Sequence, residues 1–464
     1  MSAKPRTFRI LHFPPLADVI LRSKATKNLY SPPNVKQTRS VNLLGKIQLY
    51  TFTLLLIFTP LAKGATPRWA FCIALWLLLV SFSAMLLRRL WQDERIVPKS
   101  PIDLAICLLL ALALGSLVTS IYRSASGWAF LRLLLYLGVF YLTLDFARSR
   151  HQTKWFVFTV LGLGAALAFI GFIKYQGGVI PAFWDYGTSG GNTFLTSTFV
   201  NHNHIAGYLA MVFALGLGLF LFRPFWPPAV WVAVLILILV AICLSMSRGG
   251  WIASFCALEF IVIFFLLKKG MSRFKVLAVA SVLFVAVGLT ILGSNPVIER
   301  LQSMGNENEP SLVGRLAVWK ASMQLVEEKP LLGTGPGTFP WSFTKVRPAG
   351  LTLRYREAHN DYVQVATEMG LLALIPICWG IFSVFKIGLS QFKNTNSRFR
   401  AGLILGSLGG TVAILVHSVS DFNLQITANG ILFSLLMGLA VGTSVGVHTD
   451  SPKSSSPQIP SPSS

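Results

Sequence analysis

Apolar runs of about twenty residues, separated by short polar connections, recur along most of this 464-residue chain and constrain it more than any other feature. A hydrocarbon core near 30 Å, crossed at about 1.5 Å per residue, calls for helices of roughly that length. Backbone groups in lipid must also be satisfied inside their own segment. The runs lie at 47–63, 68–87, 102–121, 128–146, 155–176, 204–222, 228–246, 249–268, 275–293, 367–386, 400–419 and 426–446. The sequence therefore predicts an all-α integral membrane protein with about twelve transmembrane helices. Its charged fraction of 12% agrees, because soluble chains carry about 25%.

The formal net charge is +23. Most Lys and Arg fall in short connections between runs, which is the pattern of membrane topology, and nucleic acid is not expected as a partner. If the amino terminus lies inside, the inner segments are 1–46, 88–101, 147–154, 223–227, 268–275, 386–400 and 447–464. These hold 26 of the 40 Lys and Arg. The positive-inside rule then predicts two cytoplasmic termini and an external position for the long polar segment 294–366. Residues 1–46, rich in Lys, Arg and Pro, have no apolar core and no cleavage site. They read as a basic cytoplasmic tail lying near anionic lipid, not a secretory signal. Residues 447–464, rich in Ser and Pro, read as a disordered cytoplasmic tail, and 47–446 as the membrane domain. All five cysteines (Cys72, Cys107, Cys243, Cys256, Cys378) fall inside apolar runs without ligand spacing. They are expected to be small core residues, with no disulfide, metal or cofactor.

Segment 294–366 is where polar chemistry collects. Leu316, Trp319, Met323 and Val326 recur at steps of three and four and predict a helix over 312–328 with that stripe as its apolar face. Pro330 stops it, and Gly333 to Gly337 form a turn. A second helix is expected to begin near His359 and run through Tyr362 and Val365 into the tenth span.

Arg248, followed by Gly249, Gly250 and Trp251, stands where one span ends and the next begins. It is either an interface anchor or an anion clamp, its planar fork acting beside the exposed N–H groups of a helix start. Arg315, in the first turn of the loop helix, is either a solvated charge or a cation kept for an anionic ligand. Arg354 and Arg356 are supporting anion contacts or solvated loop charges. His359 is the acid–base candidate: a helix start favours the uncharged imidazole, which can accept a proton. Asn360, Asp361 and Tyr362 follow it as hydrogen-bonding groups, the last two possible supports, and a structural or capping His359 is the alternative. Asn201 and Asn203, with His202 and His204 in the same short motif, are a weaker substrate-binding candidate. His417 and Asp421, four apart, are expected to share a helix face and hydrogen-bond. Glu259 and Lys174 are intramembrane charges open to either a packing or a functional reading.

Ser247-Arg248-Gly249-Gly250-Trp251, Gly314-Arg315 with Trp319, Gly333-Thr334-Gly335-Pro336-Gly337, Glu357-Ala358-His359-Asn360-Asp361-Tyr362 and Glu368-Met369-Gly370 occur in that order. Together they resemble the O-antigen ligase and polymerase superfamily of bacterial envelope glycosyltransferases, over about 190–440. The resemblance implies a protein of the bacterial inner membrane with a large periplasmic loop of short helices. It implies metal-independent, inverting transfer of a glycan from undecaprenyl diphosphate to a lipid-linked or other envelope glycan. Arg248 and Arg315 would bind the diphosphate, and His359 would activate or orient the acceptor hydroxyl. Ligase, polymerase and protein O-oligosaccharyltransferase share this donor chemistry, and a small-solute transporter such as one for inorganic carbon is the alternative of a different class. Transport predicts paired broken helices with midplane charge, whereas here the polar residues gather outside the spans.

Overall fold

The computed structural model describes residues 35–178, 181–184, 194–222, 227–272, 275, 312–349, 351 and 355–442. Residues 1–34 of the amino-terminal tail, the carboxy-terminal tail 447–464, almost all of the expected span 275–293, and Arg354 lie outside these residues, whereas 35–46, expected as tail, are helical and continue into the first span. The described elements are α1 (Val35–Leu61), α2 (Arg68–Trp91), α3 (Asp103–Val118), α4 (Arg123–Phe146), α5 (Arg150–Tyr175), α6 (His202–Phe222), α7 (Pro228–Leu244), α8 (Arg248–Lys268), α9 (Leu312–Glu328), α10 (Phe339–Val346), α11 (Asp361–Met369), α12 (Leu371–Asn394), α13 (Arg398–His417) and α14 (Thr427–Gly442). No strand occurs among the described residues.

Eight of these helices are long and apolar enough to cross a membrane: α1 from Ser40, α2, α4, α5, α6, α8, α12 and α13. The apolar helices α3, α7 and α14 are shorter, at 16 or 17 residues. Such a helix is roughly 24–26 Å long at 1.5 Å per residue. Each of these eleven helices falls on one of the predicted runs.

The bundle is organised around α6 and α13, the most extensively packed pair, with α8 against both and α14 between α13 and α4. Lipid tails are as apolar as leucine, so close helix contact in a membrane depends on small residues that let backbones approach. Gly218 of α6 meets Gly406 of α13 so closely that a Cβ on Gly218 would lie 2.4 Å from the Gly406 backbone. The outward faces carry large apolar side chains, as on α2, where Trp69, Ile73, Trp76 and Leu79 are exposed. The cysteines also correct an expectation. Cys72, Cys107, Cys243 and Cys378 are exposed on helix exteriors and Cys256 is half-buried, so they do not fill the core. A thiol is apolar enough to face lipid.

Helix α9 and the segment after it form a small lobe with its own core of Val318, Ala321, Phe339, Phe343, Tyr355 and Ala358. Helix α9 has the predicted limits and half of the predicted face: Val326 is buried and Trp319 packs on the core of the lobe. Leu316 and Met323 are exposed, and the buried stripe is Val318, Ala321, Ser322, Leu325 and Val326. Small Ala321 and Ser322 let α9 approach its neighbours, so the largest apolar residues mislead. The Gly333–Gly337 turn wraps a carboxylate of the protein itself: Gly337 and Phe339 donate backbone N–H groups to Glu368 at 2.7 and 3.0 Å. Helix α11 is not continuous with the tenth span. Gly370, at φ +76° and ψ 172°, separates it from α12, and a Cβ there would lie 2.2 Å from the Leu331 carbonyl oxygen.

A charged network ties α1, α2 and α4 together. Asp145 accepts from Gln48 at 2.8 Å, from Arg89 at 3.0 Å and from Arg88, and Glu94 pairs with Arg89 and Arg148 at 3.2 and 2.9 Å.

Candidate functional site

A polar cavity of about 160 Å³ opens where the first residues of α6 and α8, the last of α13, and the lobe meet. Phe194, Asn201, His202 and Asn203 line one side and Met246, Arg248 and Gly249 another. Arg315, His359, His417, Ser420 and Asp421 complete it. Five separate stretches of sequence thus supply one wall each.

Arg248 is the first residue of α8, whose cap is Ser247: its hydroxyl accepts the Gly250 N–H at 3.2 Å. Capping satisfies one of the orphan donors that every helix start leaves. Arg315, on the first turn of α9, donates Nη1 to the Ser420 carbonyl, while its buried Nε has no partner. This contact holds the lobe to the turn after α13. Asn201 Oδ1 accepts the Asn203 N–H at 2.8 Å. The ring of His202 stacks on Phe194 at 4.5 Å, with Nδ1 2.7 Å from the Ser245 carbonyl.

His359 does not stand in a helix. It sits at φ +50° just before Asn360, and Asn360 is the cap of α11, accepting the N–H groups of Tyr362 and Val363. The helix-start argument for its protonation state therefore gives way to a specific partner. Nδ1 of His359 lies 3.3 Å from Oδ1 of Asp421. An ionised carboxylate only accepts, so Nδ1–H is the donor, and in the uncharged ring Nε2 remains as the acceptor. Phe422 and Tyr355 seat the ring edge-on, with centroids 4.8 and 6.1 Å away. Burial alone would raise the Asp421 carboxyl. The hydrogen bond from His359 and the nearby His204, His359 and Arg315 outweigh it and hold the group well below the usual carboxylate range. Asp421 is therefore a fixed anion, and its Oδ2 has no partner.

Several expectations are corrected. Asp361 and Tyr362 do not face this cavity. They line a separate apolar cavity of about 200 Å³ between α3, α4, α12 and α14. Asp361 Oδ2 accepts from Ser418 Oγ at 2.7 Å and from the Leu424 N–H at 3.1 Å, and so braces the Asp421 turn from behind. The Tyr362 hydroxyl donates to the Leu415 carbonyl at 2.8 Å. Arg356 is exposed and is not part of the wall. His417 and Asp421 do not bond to each other through their side chains, because α13 ends at His417 and Asp421 lies on the turn beyond it. Lys174 donates to the Trp184 carbonyl at 3.2 Å, and Glu259, partway along α8, has one buried oxygen without a partner. Asp421 as the partner of His359, across 62 residues of sequence, was missed. The signal available was an acid at a span end that needs a counter-group. No group of three His, Cys, Asp or Glu among the described residues is arranged to hold a metal ion.

Residues 233–378 match the family described as O-antigen ligase. Over that segment the chain is similar to the O-antigen ligases. No curated protein gives a significant match. The O-antigen ligase match runs from within α7 to within α12, so it includes Arg248, Arg315 and His359 and excludes Asn201, His417 and Asp421. With the eight long apolar helices it supports a multi-pass membrane protein, and the similarity points to polysaccharide biosynthesis by glycosyltransferase-type chemistry.

Proposed function

We propose that this protein transfers a glycan from undecaprenyl diphosphate to a hydroxyl of a lipid-linked or other envelope glycan, as an O-antigen ligase. The observation that carries the reading is the convergence of Arg248, Arg315 and the His359–Asp421 pair on one polar cavity. An acid–base group and two guanidiniums, drawn from distant parts of the chain, are the equipment for displacing a diphosphate.

The acceptor hydroxyl attacks the anomeric carbon from the face opposite the diphosphate. The new C–O bond forms as the bond to the diphosphate oxygen breaks, with inversion. His359 Nε2 takes the hydroxyl proton, and the Asp421 carboxylate stabilises the imidazolium so formed and fixes the ring. Electrons of the broken bond pass to the departing diphosphate, whose charge the two guanidiniums meet with planar, bidentate donors. The positive-inside count supports a periplasmic site and cytoplasmic termini, which matches a donor presented outside the inner membrane. Asn201 and Asn203 are assigned to sugar hydroxyls. Metal-independent chemistry is part of the proposal.

The test is transfer by membranes carrying His359→Ala or Arg248→Lys. Each is expected to abolish transfer at unchanged membrane abundance, and near wild-type activity in either would falsify the site assignment. Deleting the gene and separating the envelope glycans on a gel reads the acceptor. Unattached long chains support the ligase, attached single repeats point to a polymerase, and unchanged glycans reject both.

A further inference from the structure

His417 is used by nothing above. It is the last residue of α13, 1% exposed, and its ring lies between two glycines of neighbouring helices. A Cβ on Gly249 of α8 would come within 2.7 Å of its Cδ2 and 2.9 Å of its Nε2. One on Gly207 of α6 would come within 3.1 Å of its Nδ1. The imidazole is therefore packed against backbone on both sides, with no space for a side chain at either glycine.

Its polar contacts run in two directions. Nε2 lies 3.4 Å from Ser247 Oγ, the hydroxyl that caps α8 one residue before Arg248. The His417 carbonyl accepts the N–H groups of Ser420 and Asp421 at 3.0 and 3.1 Å, and so forms the turn that carries the partner of His359. Nδ1 is buried with no partner. A buried nitrogen left unsatisfied is unfavourable, and an apolar ring of similar size would fill the same space without it. Packing alone does not account for a histidine here.

We propose that His417 is a positioning residue: through Ser247 it locks the Arg248 end of α8 against the Asp421 turn and fixes where the guanidinium meets a diphosphate. The proposal rests on reading this cavity as a diphosphate site. A residue that acts through Arg248 has a specific signature, because once Arg248 is gone its own removal becomes silent. The two amide replacements separate its two nitrogens. Gln extends its amide to the Nε2 position beside Ser247, and Asn reaches only the Nδ1 position.

The experiment titrates the detergent-solubilised full chain with farnesyl diphosphate, a short polyprenyl diphosphate. Arg248→Ala and His417→Ala are each expected to weaken binding about tenfold or more, equivalent to about 1.4 kcal/mol. The double variant should bind no more weakly than Arg248→Ala. His417→Gln should bind close to wild type and His417→Asn as poorly as His417→Ala. If His417→Ala fails to fold, the contrast between Gln and Asn decides alone. Equal binding by wild type and His417→Ala, equal binding by Gln and Asn, or additive losses in the double variant would overturn the positioning role and leave the diphosphate reading standing. No binding by wild type would overturn both.

Discussion

Two charged clusters sit at different levels along α4, and the contrast between them separates structure from function. Arg132, near the middle of α4 and bonded to Gln425 at 2.7 Å, marks the level of one, and Asp145, in the last turn, marks the other. Thirteen residues of helix, about 20 Å, lie between them. At the Asp145 end both carboxylate oxygens are engaged by Gln48, Arg88 and Arg89, and only one Arg89 nitrogen lacks a partner. At the other level Asp421 Oδ2, Arg315 Nε and His417 Nδ1 all have none. The first cluster satisfies itself, while the second keeps hydrogen-bonding capacity that a ligand can complete.

The largest expected effect breaks the first cluster. Asp145→Ala leaves two arginines without their counter-charge, and removing one partner of a buried pair costs about 3–5 kcal/mol. Membrane abundance and the melting temperature in detergent should collapse, while the protein that survives transfers at the wild-type rate. Asp421→Asn should do the reverse. It keeps an oxygen for His359 and Phe422 and removes only the charge, so transfer falls about a hundredfold, or about 2.7 kcal/mol. The protein still accumulates in the membrane, with its melting temperature lowered by loss of the charge the fold stabilises. If both substitutions damage folding equally, the contrast fails. Arg315→Lys sharpens it. The Ser420 contact can persist but the fork is lost, and donor binding is expected to weaken about tenfold.

A separate effect is read in pH. Burial pushes Asp361 from 3.8 to about 7. Between those values the folded protein holds a proton that the unfolded chain has released, so stability falls as pH rises through the interval. The melting temperature of wild type should therefore drop between pH 4 and 7. Asp361→Asn, which cannot ionise, should flatten that slope; an unchanged slope would remove Asp361 as its source.

Eleven of the twelve apolar runs were legible as helices, eight of them long enough to cross a membrane, because lipid imposes one rule on length and polarity along a contiguous segment. Helix α9 was legible for the same reason, through Pro330 and its period. Its buried face was legible only in half, since Ala321 and Ser322 matter by being small beside particular neighbours. Arg248, Arg315 and His359 stood out as polar residues in unusual places. Their convergence depends on pairing across the chain, which no local pattern encodes. The glycine stretch was legible only as a turn; that its end, with Phe339, donates backbone N–H groups to the Glu368 carboxyl was not.

The order of the cavity's walls along the chain has a consequence for biogenesis. Asp421 is made 173 residues after Arg248. At about 5–20 residues per second, that gap is roughly 9–35 s of synthesis. Throughout it the ribosome-bound protein has spans in the membrane and no complete cavity. A nascent chain therefore has no complete site until the Asp421 turn has been made and packed against the earlier walls.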